Sequence, residues 1–371
     1  MLAVFDDRSI LRKALLFEAE LARAQSEVGL ISGEVAQRIV QTCASIEIDP
    51  EALAEEVAHA GTLAIPLVAR LRAALEKSPA ASKAVHLGAT SQDLADTVLV
   101  LQAKDAMALV VEDVGRLTAA LADLAQRHSS TPAIGRTLLQ DALPITFGLR
   151  AAQWLASVAS ARRFLNQMTS ETLYLQFGGA VGTRAGLGGR GGDVASRLAI
   201  ALNIGLPPAP WHAQREKITK LGAAIGILIG VLGKVGRDIS LMSQDAVGEA
   251  REPLVQGRGG SSTMAHKRNP TASQLAISAA IRAPGLVASL LAGLPQEQER
   301  GVGGWQNEAA VLADLFMLAG GSAAALATVI VGLEVDKDAL RRNLAAAHVG
   351  DDTGEAEAIV AAIIEDFRKA G

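Results

Sequence analysis

The sequence has little cysteine, few aromatic residues and no excess of positive charge. A single cysteine, Cys43, in 371 residues excludes an internal disulfide, and we expect its side chain to lie in the core. Aromatic residues make up only 3% of the chain. The formal net charge of -4 gives no basic surface of the kind that binds nucleic acid. We therefore expect no nucleic-acid partner.

A long uninterrupted hydrophobic run is also lacking. The most apolar stretch, residues 221–232, contains glycines and is shorter than the roughly 20 residues that span a bilayer. Asp6 and Asp7 stand where a secretory signal peptide carries basic residues. These features predict a cytoplasmic protein without a membrane partner.

Small aliphatic residues at helical spacing are abundant and predict an all-α protein. Long helices are predicted at residues 10–28, 92–128, 141–176, 214–247, 271–294 and 304–332. Pro144 is placed in the first turn of the third helix, and Pro284 is expected to kink the fifth. We predict an N-terminal helical domain at 1–95, a central long-helix bundle at 96–335 and a short C-terminal helical segment at 336–371.

Three segments combine turn residues with polar or charged side chains. Residues 259–270 form a glycine–serine loop in which Lys267 and Arg268 can hold a carboxylate and Asn269 adds neutral hydrogen bonds. Residues 86–93 form a glycine turn with Thr, Ser and Asp at a helix N-terminus. Residues 135–148 form the third segment. On composition alone, a basic turn that caps a helix is the better explanation of the loop, and capping also explains the turn.

The three segments together resemble the signatures of the fumarase/aspartase superfamily. The pattern Gly-Ser-Ser-x-Met-Pro-x-Lys-x-Asn is matched at Gly260, Ser261, Ser262, Met264, Lys267 and Asn269, with Ala265 at the proline position. Residues 86–93 match His-x-Gly-x-Thr-Ser-x-Asp at every fixed position. Residues 135–148 match Gly-Arg-Thr-His-x-Gln-x-Ala-x-Pro-x-Thr-x-Gly except that Leu138 replaces the histidine.

The residue at the position of Leu138 differs between members of this superfamily. In the argininosuccinate and adenylosuccinate lyases the histidine is an acid–base group, and such help is typically worth ~10²–10⁴-fold in rate. The carboxymuconate cycloisomerases carry an apolar residue there, as this chain does. Residues 175–180, 210–215, 233–241 and 295–308 are also similar to that subfamily, so the resemblance covers about residues 5–345.

The resemblance implies a superhelical all-α fold with a central long-helix bundle, and a homotetramer with sites shared between subunits. No glycine-rich element follows a strand to hold a dinucleotide, so no cofactor is expected. The spacing of His, Cys, Asp and Glu suggests no metal site. By the match, Ser261 and Lys267 are the catalytic residues. The expected substrate-binding residues are His86, Thr90, Ser91, Gln140, Gln214, Arg215, Ser262, Met264, Asn269 and Arg300. For Arg215 a polar turn, and for Arg300 a pairing with Glu297 or Glu299, are the alternatives.

The implied reaction is cyclisation of a carboxymuconate, in which a substrate carboxylate adds to a double bond. A tri-anionic substrate needs positive charge, for which Lys267, Arg268, Arg215 and Arg300 are candidates. One alternative is a superfamily lyase that releases fumarate from a succinyl-amine, with His86 or His212 as the acid. The other is a non-catalytic structural homologue, which the substitutions at Leu138 and Ala265 would permit.

Overall fold

Helices dominate the part of the chain that the computed structural model describes, which is residues 1–260, 263–264 and 267–370. The helices in chain order are α1 Leu2–Phe5, α2 Asp7–Glu27, α3 Gly33–Ser45, α4 Pro50–Ala60, α5 Ala64–Ala74, α6 Pro79–Ala84, α7 Ser91–Arg127, α8 Phe147–Ser170, α9 Gly191–Ala201, α10 Glu216–Met242, α11 Thr271–Ala292, α12 Gly304–Val331, α13 Lys337–Ala346 and α14 Ala356–Ala370. The strands are β1 Pro132–Thr137, β2 Gln140–Thr146, β3 Ala250–Arg251 and β4 Glu334–Val335. The predicted all-α class is confirmed.

The prediction of a helix over 141–176 was wrong at its start. β1 and β2 form an antiparallel hairpin in which Pro144 lies opposite Ile134, with a bulge where Ala142 and Leu143 lie opposite Gly135. α8 begins only after the hairpin and ends at Ser170. Proline fits a strand position that needs no N–H donor, so Pro144 did not distinguish a strand from a helix start.

Two leucines form the turn of this hairpin. Leu138 and Leu139 have φ values of 52° and 63°, and their exposed fractions are 92% and 82%. A two-residue hairpin turn with positive φ at both positions favours Asn and Gly, because a Cβ costs about 1–2 kcal/mol in this conformation, which Gly avoids and Asn offsets by local hydrogen bonds. The turn therefore presents apolar side chains to solvent at a conformational cost.

The chain divides into two compact units, each assembled from three segments. Unit 1 contains Met1–Met107, Met168–Lys220 and Ser289–Ala313, and unit 2 contains Ala108–Gln167, Leu221–Ala288 and Asp314–Gly371. The domains expected from the sequence are continuous ranges of residues, and that division stays a prediction.

The core of unit 1 is built on α2. Asp6 caps this helix by accepting a hydrogen bond from the amide of Ser9 at 2.7 Å, and Phe17 and Leu21 are buried along its inner face. α3 and α9 pack against α2. Cys43 lies in this core with 7% exposure, as predicted, and burial raises the pKa of its thiol to about 12.

Close approach of α10 and α11 depends on two glycines in unit 2. A Cβ added at Gly233 would lie 2.4 Å from the Cβ of Ala280, and one added at Gly236 would lie 2.9 Å from the carbonyl oxygen of Ser273. At the start of α11, the buried Glu252 carboxylate accepts hydrogen bonds from the amides of Ala272 and Ser273. The small residues of the sequence thus serve tight helix packing.

Three helices, α10, α11 and α12, are long and apolar enough to cross a membrane by length and composition. In the most apolar windows of α10 and α12, 61% and 56% of the residues are buried within the chain, whereas for α11 the share is 22%. The expectation that no segment spans a membrane stays a prediction. α11 leaves most of an apolar surface uncovered.

Substitution of Gly233 by alanine tests this packing. Gly233→Ala should lower the free energy of unfolding by about 1–3 kcal/mol, because the added methyl group overpacks the contact with Ala280. Gly230→Ala is the matched control, since Gly230 lies on α10 with open space around its Cα. That variant should be neutral or stabilised by up to about 1 kcal/mol. Thermal unfolding of both variants measures the difference, and equal destabilisation would contradict the packing.

Candidate active site

The turn before α7 is fixed by a capping carboxylate. Oδ2 of Asp93 accepts a hydrogen bond from the amide of Thr90 at 3.0 Å. Thr90 and Ser91 are half-buried, while Asp93 is fully buried. The hydroxyls of Thr90 and Ser91 therefore lie at the N-terminus of a long helix, where backbone amides and the helix dipole favour an anion.

Asp93 also connects this turn to two other segments of unit 1. Its carboxylate accepts hydrogen bonds from the amides of Gly178 at 2.9 Å and Gly179 at 2.8 Å. Its Oδ1 lies 2.7 Å from Nε2 of the buried His212, which must be the donor because a carboxylate only accepts. A Cβ at Gly178 would lie 2.8 Å from Cε1 of His212, so only glycine fits there.

Arg300 reaches the same turn from the segment before α12. Its Nη2 donates to Oγ1 of Thr90 at 2.7 Å, and its Nε donates to Oε1 of Gln92 at 3.2 Å. The alternative pairing of Arg300 with Glu297 or Glu299 does not form among the described residues. Because the Thr90 hydroxyl accepts from a cation, its own proton remains available to a substrate carboxylate.

His86 precedes this turn in a left-handed conformation with φ of 62°. Its Nδ1 lies 2.5 Å from Oε1 of the buried Glu18. Burial lowers the pKa of His86, but the hydrogen bond and charge of Glu18, with a contribution from Asp93, outweigh burial and the charge of Arg72, so the pKa is raised. His86 is thus a candidate cation at the edge of the site.

Arg215 is held inside unit 1 by two carboxylates. Its guanidinium donates to both oxygens of Asp96 at 2.8 Å, and its Nε donates to Oε1 of Glu308 at 2.9 Å. It also stacks over the ring of Trp211 at 4.7 Å, and it is 1% exposed. This arrangement favours the structural alternative, so direct substrate binding by Arg215 stays a prediction. The neighbouring Gln214 is exposed.

The signature loop belongs to unit 2. Ser261, Ser262 and Ala265 lie outside the described residues, so their predicted roles stay predictions. Met264 and Lys267 are exposed, and Lys267 forms no ion pair with any described residue.

Asn269 closes the base of this loop. Its amide donates to the carbonyl oxygen of Gly259 at 2.8 Å, and its Nδ2 donates to that of Gly260 at 3.3 Å. Asn269 and Lys267 line a cavity of about 120 Å³, together with Arg258. Arg251, Arg268 and Glu252 also line it, so cations outnumber carboxylates and the cavity is suited to a carboxylate ligand.

Arg268 has a different role from its neighbour Lys267. Its Nη1 and Nη2 donate to the two carboxylate oxygens of Glu334 at 2.8 and 2.9 Å, and Nη2 also donates to the carbonyl oxygen of Glu252 at 2.5 Å. The Arg268 hydrogen bond lowers the pKa of Glu334. Arg268 therefore ties the loop to β4 and is a weak candidate for substrate binding.

Gln140 is exposed beside the Leu138–Leu139 turn of the hairpin. The stem below it is fixed by Arg136, whose Nη1 and Nη2 donate to the buried Glu249 carboxylate at 2.9 and 2.6 Å. Burial raises the pKa of Glu249, but hydrogen bonds from Arg136 and Asn343 outweigh it, so the pKa is lowered. The ion pair between Arg136 and Glu249 thus fixes the position of the hairpin.

The structure brings together only part of the predicted set. Within unit 1, Thr90 and Arg300 are in direct contact, and Ser91 and His86 lie on the same short segment. Within unit 2, Lys267 and Asn269 share one cavity. No group of three or more His, Cys, Asp or Glu side chains suited to a metal ion occurs among the residues that the structure describes.

Comparison with known proteins assigns the chain to a family. The family model described as lyase matches residues 1–285, which is more than half of the chain, so the chain belongs to this lyase family. Its fold is that of the fumarase/aspartase superfamily.

Several similar proteins carry the same name. The chain is 47% identical to the 3-carboxy-cis,cis-muconate cycloisomerase of Pseudomonas aeruginosa over 94% of this chain and 76% of that protein. It is 46% identical to that of Bradyrhizobium diazoefficiens, over 94% and 77%. The crystal structure of the 3-carboxy-cis,cis-muconate lactonizing enzyme from Pseudomonas putida matches with a TM-score of 0.93 and 36% identity, over 99% of this chain and 96% of that chain.

Sequence reasoning gave Asp93 only the role of a helix cap and gave Gln92 none, and it considered His212 only as an acid for the alternative lyase. Asp93 is a fixed position of its signature, and His212 stands in a stretch similar to the cycloisomerases, so both carried a signal. Gln92 occupies a variable position and carried none. The partner of His86, Glu18, is 68 residues away and had no signal in the sequence.

The pH dependence of stability tests the His86–Glu18 pair. Because the pKa of His86 is raised in the folded protein, the stabilisation is complete below the ordinary value of 6.5 and is lost as the pH rises above it. The unfolding midpoint of wild type should therefore exceed that of His86→Gln most at pH 6, and the difference should shrink towards pH 9. A difference that grows with pH would contradict the assigned pair.

Proposed function

We propose that this protein is a 3-carboxy-cis,cis-muconate cycloisomerase, which converts its substrate to carboxymuconolactone. One observation carries the proposal: Leu138 stands at the position of the lyase histidine, while the anion-binding groups Thr90, Lys267 and Asn269 are retained. The reaction class fits this set because the nucleophile is a carboxylate of the substrate itself. A second acid–base side chain is then unnecessary.

The chemistry follows from where charge develops. A substrate carboxylate oxygen bonds to one carbon of the double bond, and the π electrons move to the adjacent carbon, which is conjugated with another carboxylate. The resulting enediolate is stabilised by donors from Ser91, Lys267, Asn269 and Gln140. The hydroxyl of Ser261 then gives its proton to that carbon and recovers one from solvent.

Binding of a tri-anion also needs cations that are not already neutralised. Of the four predicted cations, Arg215 and Arg268 each face carboxylates within the chain, which leaves Lys267 and Arg300. Arg258, which lines the cavity with Lys267, adds a third positive group. His86 adds positive charge at low pH. Two or three cations around a tri-anion give the local neutralisation that an overall acidic protein does not provide.

The alternative lyase reaction has less support. It needs an acid in place of Leu138, and the two proposed replacements are both engaged. His212 is 4% exposed and donates to Asp93, while His86 is bonded to Glu18. The retained Lys267 and Asn269 likewise disfavour a non-catalytic homologue.

Apolar surface supports the proposed homotetramer with shared sites. Leu138, Leu139 and Leu143 are exposed by 92%, 82% and 70%, and most of the apolar surface of α11 is uncovered. Monomeric soluble proteins rarely leave such a surface open. We propose that other subunits cover it, that the protein is cytoplasmic, and that it needs no cofactor, nucleic acid or membrane.

Turnover of 3-carboxy-cis,cis-muconate, followed by ultraviolet absorbance, tests the reaction. Wild type should consume the substrate, and Ser261→Ala should lower kcat by about 10²–10⁴-fold because the proton donor is lost. Lys267→Met should lower kcat/KM by a similar factor.

Exposed residues on other elements provide the controls. Ser45→Ala on α3 and Lys83→Met on α6 remove the same groups and should retain wild-type kinetics. Turnover of succinyl-amine substrates, with none of carboxymuconate, would replace the proposal with the lyase alternative. Normal kcat in Ser261→Ala would remove Ser261 from the mechanism.

Complementation between inactive variants tests whether sites are shared. A double variant that carries Thr90→Ala and Ser91→Ala in the same chain is co-expressed with the Lys267→Met variant. If each site takes these groups from different subunits, mixed tetramers contain some sites without either defect, and activity should rise well above that of both parents. If all groups of a site came from one chain, every site would remain defective and the mixture would show no gain.

A further inference from the structure

Five residues of unit 1 form a closed circuit of hydrogen bonds around the turn before α7. The residues in order around it are Thr90, Arg300, Gln92, His212 and Asp93. Arg300 donates to Thr90 and to Gln92, and Nε2 of Gln92 donates to the carbonyl oxygen of His212 at 2.9 Å. His212 donates to Asp93, and Asp93 accepts from the amide of Thr90.

Burial is distributed unevenly around the circuit. Gln92 and Asp93 are 0% exposed and His212 is 4% exposed, whereas Thr90 and Arg300 are half-buried. The three buried members therefore cannot meet a substrate directly. The two accessible members, a hydroxyl and a guanidinium, are the ones suited to a carboxylate.

The circuit determines which edge of Arg300 is available. Its Nε and Nη2 are occupied by Gln92 and Thr90, and Nη1 has no hydrogen bond to any of the described residues. An arginine side chain held at two donors loses little further freedom when a third donor binds an anion. Nη1 is thus a preorganised cationic donor beside the Thr90 hydroxyl.

We infer that Gln92, His212 and Asp93 are positioning residues that fix Arg300 and Thr90 as the binding site for a non-reacting carboxylate of the substrate. This inference rests on the proposed function for the identity of the substrate. A non-reacting carboxylate is bound equally in the ground state and the transition state. Loss of a positioning residue therefore raises KM and leaves kcat nearly unchanged.

Gln92→Met tests the inference because methionine keeps the shape of glutamine and removes both hydrogen bonds. KM for 3-carboxy-cis,cis-muconate should rise about tenfold or more, with kcat within about threefold of wild type. Gln102→Met is the matched control, since Gln102 is a 4% exposed glutamine on the same helix that donates to the carbonyl oxygen of Val4. Gln102→Met should lose as much thermal stability as Gln92→Met and should keep the wild-type KM.

Arg300→Lys provides a second variant at a half-buried position, and it keeps the charge without the two-point attachment. It should raise KM by itself. Because Gln92 acts through Arg300, adding Gln92→Met to Arg300→Lys should raise KM no further. Independent, multiplying effects on KM would show that Gln92 does not act through Arg300 and would overturn the inference.

Equilibrium binding of propane-1,2,3-tricarboxylate separates this inference from the proposed reaction. Tenfold weaker binding by Gln92→Met, together with no carboxymuconate turnover by wild type, would retain the positioning circuit and remove the reaction. Unchanged binding and unchanged KM in Gln92→Met would overturn the circuit, whichever substrate wild type converts.

Discussion

A carboxylate removed from water has to be surrounded by donors, and Asp93 meets this requirement with three backbone amides and one imidazole. The Thr90 amide is three residues from Asp93, whereas the glycine amides and the imidazole are 85, 86 and 119 residues from it in the sequence. Loss of any one of them would leave a buried charge under-solvated, so the segments are held at fixed distances. The position of the Thr90 turn, and of Arg300 bound to it, depends on this one group.

Cations in this protein have two distinct uses. Arg215, Arg136 and Arg268 are each matched by one or two carboxylates of the chain, so they fix elements and carry little free charge. Lys267 and Arg300 keep donors that no described residue uses. The capacity to bind a polyanion therefore depends on a few unmatched donors and not on net charge, which agrees with an acidic protein that binds a carboxylate substrate.

Periodicity predicted α7, α10, α11 and α12 within a few residues, because long apolar stripes leave little choice of structure. The hairpin was missed because its turn uses Leu138 and Leu139 where Asn and Gly are usual, so the normal turn signal was absent. Residue type indicated Lys267 and Asn269 as anion ligands, whereas Thr90 was indicated by the family resemblance. The burial of Arg215 could not be predicted, since its partners are 119 and 93 residues away in the sequence.

The central claim is that two separate sets of anion-binding residues bind the carboxylates of the same product molecule. A crystal structure of the assembled protein with carboxymuconolactone tests it most directly. We predict that the carboxylates of the lactone contact Thr90 and Arg300 from one subunit and Lys267 and Asn269 from another, with Leu138 against the ring. A lactone bound away from both sets, or assembled subunits that leave them far apart, would contradict this account.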